Sequence, residues 1–231
     1  MLSSIGKAMI CAAATLWLAT PALAQETVDV GVLKQSDIKV VQRLLFPKAN
    51  RTELSGMVGY MPFDPFLVTP NLQLGYTKHT SENLAFGATL GGGYGLKNTY
   101  YNELESATYG IAPDAYRYLA SLTGGVEYAP IYAKLNFDSK KVVHYDVYGA
   151  GRLGVSFEQS VIPEGGFAVA PTVSLAVGAR FFLPNNKAIK FELRDDLLIE
   201  HRKLTDSTHL KQNVNLLIGL SMLSPLDKAS R

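Results

Sequence analysis

From Arg51 to Leu223 apolar side chains return at every second residue, segment after segment, and no helical period intervenes. A period of two is the pleat of a β-strand, whose side chains point alternately to opposite faces. It confines the chain to sheets with one apolar and one polar face. The clearest stretch is VVHYDVYGAGRLGVSF at 142–157. His144, Asp146 and Arg152 share one face of it, and Val143, Tyr145, Val147, Gly149, Gly151, Leu153, Val155 and Phe157 share the other. At roughly 3.3 Å per residue the stretch spans about 50 Å, far beyond the roughly 5–6 residues of an ordinary globular strand.

Eight such segments are expected, near 51–60, 68–77, 83–96, 115–129, 142–157, 166–182, 187–202 and 209–223. Their apolar faces carry Leu54, Val58 and Tyr60 in the first, and Leu72, Leu74 and Tyr76 in the second. The third carries Phe86 and Leu90, and the fourth Tyr118, Leu122, Val126 and Tyr128. Val173, Leu175 and Val177 follow in the sixth, Phe191 and Leu193 in the seventh, and Leu216, Ile218 and Leu220 in the eighth. Turn residues punctuate them at His79–Glu82, Pro130, Pro184–Asn186 and Thr205–Ser207. Long antiparallel strands in even number predict an all-β chain, closed as an eight-stranded up-and-down barrel.

The segments before and after read differently. Lys7, the apolar run Ala8–Thr20 and the small-residue pattern Ala22-Leu23-Ala24 predict a signal peptide over 1–24, cleaved after Ala24. Cys11, the single cysteine, falls inside it, so cysteine catalysis and cysteine-ligated zinc are not expected of the mature chain. Residues 25–50 form a leader. Within it Ile38, Val41, Leu44 and Leu45 have the spacing of a short amphipathic helix ended by Pro47. The barrel is expected over 51–223, with a tail at 224–231. The net charge of +2, with no basic stripe, argues against a nucleic-acid partner.

Alternation alone fits both a membrane barrel, apolar face out, and a soluble barrel, apolar face in. Two features favour the membrane. Tyr145 and Phe157 bracket one apolar face and Phe167 and Phe181 another, at the separation of interfacial aromatic girdles. The polar face mixes small residues with charges of both signs, which suits a narrow lumen filled by side chains. His144, Asp146, Arg152, Arg180, Glu192, Arg194 and Asp196 are the expected lumen network. Strict alternation from Phe191 and Leu193 aims Asp195 at lipid, so a β-bulge near Asp195-Asp196 is expected to re-aim the chain.

Three stretches, VQRLLFPKANRTEL at 41–54, APIYAKLNFDSKKVVHYDVY at 129–148 and FELRDDL at 191–197, resemble a small outer-membrane β-barrel domain family found mainly in myxobacteria and their relatives. The resemblance runs from about residue 38 to the end. It implies an outer-membrane location and an eight-stranded barrel. Some members are associated with adventurous gliding motility, which implies a place in an envelope-spanning assembly. It implies no enzymatic activity that maps onto residues here.

Catalytic alternatives are weighed against these structural readings. His144 and Asp146 would supply two ligands of a metal site, but no third is identifiable, and a lumen hydrogen-bond network with Arg152 or Arg180 is the simpler account. A Ser-His-acid set would need Ser156 or Ser174, without a matching motif. Glu200-His201 and His209 lie near the predicted outer rim. Tyr100, Tyr101 and Tyr109 in the long loop near 97–114 are candidate outer-loop contacts. No cofactor is expected. The expected partners are outer-membrane lipid and proteins reached through 25–50 and through 130–141, taken as a long periplasmic turn. A barrel enzyme acting on lipid or peptide and a soluble periplasmic ligand-binding barrel are the alternative functions.

Overall fold

A computed structural model describes residues 46–106, 109–110, 113, 115–137, 141–161, 166–202 and 207–224. The predicted signal peptide, its cleavage site, most of the leader and the tail from 225 lie outside the described residues.

The strands are β1 (Thr52–Met61), β2 (Leu67–His79), β3 (Leu84–Gly93), a two-residue β4 (Leu96–Lys97), β5 (Tyr116–Phe137), β6 (Lys141–Ser160), β7 (Phe167–Leu183), β8 (Lys187–Arg202) and β9 (Ser207–Ser224). Each long strand pairs antiparallel with its sequence neighbour, and β1 pairs with both β2 and β9, so eight strands close into a ring. Short connections join one end of the barrel, the turn end. The longer ones join the other, the loop end. At the turn end, Asn185 and Asn186 take φ of 65° and 58°, a left-handed conformation that asparagine tolerates and that matches hairpin twist.

The register fixes the barrel's dimensions. Cα partners lead from Met222 through Leu54, Tyr76, Ala88, Gly124, Leu153, Val173 and Leu197 back to β9 at Gln212, ten residues from the start. Ten residues at about 3.3 Å, set against eight strand spacings of about 4.8 Å, give a strand tilt of about 41° and a radius of about 8 Å. That lumen has room for side chains alone. The same tilt converts the run from Tyr145 to Phe157 into about 30 Å of height, close to an apolar membrane band.

The apolar faces point outward. Leu54, Val58, Leu74, Leu90, Leu122, Leu153, Leu175, Leu193, Leu216 and Leu220 are all exposed. The alternate residues are buried, and the buried side chains among the described residues include seven carboxylates and seven Lys and Arg, counting Lys48 and Arg51 just ahead of β1. The interior is polar and the exterior greasy, the inverse of a soluble barrel.

Several expectations are corrected. Tyr118 is buried inside and hydrogen-bonds Ser121 at 2.7 Å, because a register shift between Tyr118 and Ala120 reverses its face. The turn assigned to 130–141 is mostly strand: β5 runs through Pro130 to Phe137, and the chain resumes as β6 at Lys141. Pro130 sits in a second irregularity, between Tyr128 and Ile131, beyond the last partner that β3 offers β5. A proline there removes no ladder bond, so it marks a bulge rather than an end. The expected bulge at Asp195-Asp196 is absent, since β8 pairs in unbroken register with β7 and β9 across it. Asp195 therefore does point outward, Asp196 inward, and Leu198 is buried inside. The long loop also contains a short helix, α1 (Thr99–Glu105), capped by Asn98, whose side chain accepts from the Tyr101 N–H at 2.9 Å.

Candidate functional site

The alternation of β1, β5, β6, β7 and β8 sends charged side chains into a lumen about one side chain wide, where they meet in tiers. Arg180 from β7 occupies the tier near the turn end. Its guanidinium bonds Glu53 of β1 and Glu127 of β5, and its Nε lies 3.2 Å from Asp146 of β6. Glu53 also receives Lys190 at 3.0 Å and meets His79 at 3.0 Å. The Arg180 and Lys190 cations both lie 4.9 Å from the Tyr148 ring.

Glu192 centres the next tier. It accepts from the Tyr148 hydroxyl at 2.8 Å, from Arg152 at 3.3 Å and from Arg194 at 2.6 Å. Arg194 reaches on to Gln73 at 3.1 Å. Gln73, Asn71, Asn215 and Asp196 then continue as a chain of amide hydrogen bonds. Toward the loop end Lys211 bonds Glu158 at 2.7 Å, and Arg117 donates to the Tyr94 hydroxyl at 2.7 Å. A small polar cavity of about 110 Å³ lies there, beside Asp64, Glu200 and Lys211.

Of the expected lumen residues, Asp146, Arg152, Arg180, Glu192, Arg194 and Asp196 lie in these tiers. His144 stands apart at the turn-end rim, bonded to the Tyr132 hydroxyl at 3.0 Å and edge-on to Phe46. Ser156 accepts from Thr172 at 2.7 Å. His209 pairs with Ser207 at 2.7 Å on the exposed surface, and the His201 side chain lies outside the described residues. Among the described residues no three His, Asp or Glu side chains gather in a metal-binding cluster.

The sequence reading missed the turn-end stopper. Residues 46–51 fold across the barrel mouth. Lys48 is buried on Asp146, and its backbone N–H, with that of Ala49, binds the Glu82 carboxylate at 2.9 and 3.1 Å. Phe46 stacks on Phe182 with centroids 5.3 Å apart. The signal was Lys48 directly after Pro47 and ahead of the first strand, but its partner is distant in sequence and appears only when the ring closes. Lys48→Ala removes one of the two cations on Asp146, and Arg180 keeps the other. Breaking a buried pair costs about 3–5 kcal/mol, and the retained Arg180 sets the expected loss at the lower end. Denaturant titration in lipid vesicles reads it, with faster proteolysis at 46–51 as the second readout.

On the outer wall Tyr145 stacks on Phe181 at 5.6 Å, and Phe181 meets Phe191 edge-on at 5.9 Å, an aromatic cluster toward the turn end. Phe157 and Phe167 lie exposed toward the loop end. Of the loop tyrosines, Tyr100 and Tyr109 are 69% and 64% exposed, but Tyr101 is fully buried. Tyr101 is not a surface contact, because its ring packs in the loop-end cluster of Leu67, Ala115 and Val161. Lys97 lies 4.4 Å over that ring and bonds Glu105, whose carboxylate raises the Lys97 pKa.

No protein-family model and no curated protein matches the chain. Among solved structures it is similar to Neisserial surface protein A (10% identity, 74% of this chain and 95% of that one, TM-score 0.41). It is also similar to Ail, the attachment invasion locus protein of Yersinia pestis (10% identity, 76% and 99% covered, TM-score 0.40). A major outer membrane protein from Thermus thermophilus matches at 13% identity, with 74% and 99% covered and a TM-score of 0.35.

Proposed function

We propose that the chain is a closed, non-enzymatic outer-membrane barrel that serves as an anchor or interaction platform in the cell envelope. The observation that carries this reading is the lumen, filled by mutually compensating charges and surrounded by an apolar wall. A wall of exposed leucine and valine suits lipid. A barrel about 8 Å in backbone radius, filled among the described residues by side chains from Lys48 at one mouth to Lys211 at the other, suits a closed barrel rather than a pore. With equal buried acids and bases among the described residues, it also offers no single-sign field to select an ion or substrate.

In this reading the turn end faces the periplasm and the loop end faces outward. Partner contact falls on two features. Outside, Phe63, Tyr100 and Tyr109 stand exposed on the loops. Inside, the β5–β6 hairpin projects past the rim, with Ile131, Leu135 and Val142 exposed. Among the described residues the β5 edge beyond Ala129 pairs with β6 alone, which suits addition of a partner strand. The narrower form of the proposal is a place in an envelope-spanning or gliding-motility assembly, reached through this hairpin and the 25–50 leader.

Reconstituted into planar bilayers, the protein is expected to give no steady single-channel conductance. Regular open-channel events would overturn the closed-barrel reading, and recovery of the native protein in the soluble periplasm without detergent would overturn the membrane reading. Affinity capture with and without residues 131–137 tests the platform.

A further inference from the structure

On the outer wall Val147, Ala179, Phe191 and Ile218 are successive register partners on β6, β7, β8 and β9. Val177, Leu193 and Leu216 form the next row toward the loop end. A groove of about 530 Å³ lies over these two rows. Ala179 is its floor, a methyl group set between the branched Val147 and the ring of Phe191. The outward side chains along it are all apolar, and in a membrane barrel such a gap takes hydrocarbon rather than water. The row below, toward the turn end, is Tyr145, Phe181 and Ile189, with Tyr145 stacked on Phe181.

The register sets the groove's depth. At a tilt of about 41°, one residue along a strand is about 2.5 Å of height and one step to the next strand about 3.1 Å. From Val147 across to Ile218 and up to Leu216 the groove rises about 14 Å, close to one leaflet of a roughly 30 Å hydrocarbon core. It begins directly above the Tyr145–Phe181 stack, so it lies in the leaflet at the turn end.

At the foot of the groove stands an unpaired lysine. Lys48, Lys78, Lys97, Lys190 and Lys211 each bond a carboxylate or a carbonyl of the chain. Lys187 points outward, is exposed, and has no such partner among the described residues. It lies two residues past Ile189 toward the turn end, and Tyr145 lies two strands away from Ile189 in the same row. Lys187 and Tyr145 therefore stand at one height to within about 1 Å, and about 12 Å apart around the wall. Phe181 lies between them and holds the Tyr145 ring, whose hydroxyl has no hydrogen-bond partner among the described residues. Two free donors thus flank the foot of an apolar groove, at the depth where a lipid passes from acyl chain to phosphate. An ammonium meets a phosphate as a point charge, and an interfacial tyrosine keeps its ring dry and its hydroxyl wet. Resting on the membrane reading above, we propose that one glycerophospholipid of the turn-end leaflet docks here, with an acyl chain over Ala179 and its phosphate between the Lys187 ammonium and the Tyr145 hydroxyl.

The test uses the full chain in phosphatidylcholine vesicles that carry a minor share of phosphatidylglycerol with a photoreactive group midway along one acyl chain. Cross-links mapped by mass spectrometry are expected on β7 to β9 around Ala179, above those around Leu74 on the opposite wall by about fivefold, the factor that one lysine near a lipid headgroup supplies. Ala179→Phe fills the groove and Lys187→Gln removes the cation, and each is expected to bring the β7–β9 signal down to that of the opposite wall. Lys187→Arg is expected to keep it, and so is Lys78→Gln, which alters another outward lysine at the turn end. Folding of each variant is verified by the electrophoretic shift between unheated and boiled samples. All these side chains lie outside the lumen, and either Ala179→Phe or Lys187→Gln alone suffices for the test. Even labelling around the wall overturns the proposal, as does a β7–β9 signal indifferent to both substitutions or equally lost in Lys78→Gln. A signal lost in Ala179→Phe but kept in Lys187→Gln overturns the phosphate contact. Flotation of the same samples reports separately on the membrane reading, since a protein that does not float with the vesicles overturns that reading and the site with it.

Discussion

Arg180→Met is expected to be the most destabilising single substitution in the barrel, at about 5 kcal/mol or more, measured by denaturant titration in lipid vesicles. Removing one member of a buried ion pair costs about 3–5 kcal/mol, because the charge left behind is neither hydrated nor paired. Arg180 serves three carboxylates at once, Glu53, Glu127 and Asp146. They do not suffer equally. Glu53 keeps Lys190 and His79, and Asp146 keeps Lys48. Among the described residues Arg180 is the one cation bridged to Glu127. A second substitution therefore sorts them. Arg180→Met with Glu127→Gln should recover more stability than Arg180→Met with Glu53→Gln, because only the first removes a charge that has lost its sole partner. Arg180→Lys should fall between wild type and Arg180→Met, since an ammonium lacks the planar fork that reaches several carboxylates together. Equal rescue by the two glutamine substitutions would show that the network does not distribute charge as these contacts describe.

The same residues mark how far the sequence could be read. Periodicity alone places Asp146, Arg152, Arg180, Glu192, Arg194 and Asp196 on inward faces, because a pleat leaves no other choice. It does not say which acid meets which base. Arg180 and Glu53 are far apart in the chain, and what joins them is the ten-residue offset accumulated around the ring, which no single strand encodes. Lys48 was illegible for the same reason. The differences have local causes. Strict alternation puts Tyr118 outside; one register irregularity switches its face, and aromatics suit either face near a rim. Pro130 reads as a stop because a proline usually ends a ladder; here the neighbouring strand has already ended, so nothing is lost. A carboxylate should avoid lipid, which argues for a bulge at Asp195. The register keeps it outside, with Gln212 as its partner, and what looked like an error in phase is a feature of the wall.

A charge placed in the middle of the wall separates lipid from water outside the barrel. Leu74, Leu90 and Leu122 are register partners on β2, β3 and β5, and all three point outward, about half exposed. Leu90→Arg is expected to cost about 2–4 kcal/mol in vesicles, the range for a cation at mid-bilayer on a barrel's outer face, and about 0–1 near an interface. Phe167→Arg, at the loop end of β7, is the interfacial counterpart. In water the order would differ. An exposed leucine replaced by arginine changes the stability of a soluble protein by about 0.5 kcal/mol or less, at either height. The gradient between Leu90→Arg and Phe167→Arg is thus a property of the surrounding medium rather than of barrel packing, because neither side chain enters the lumen. A loss at Leu90 that matched the loss at Phe167, both small, would place water around the barrel and sink the membrane reading. A large loss at Leu90 alone would require hydrocarbon there.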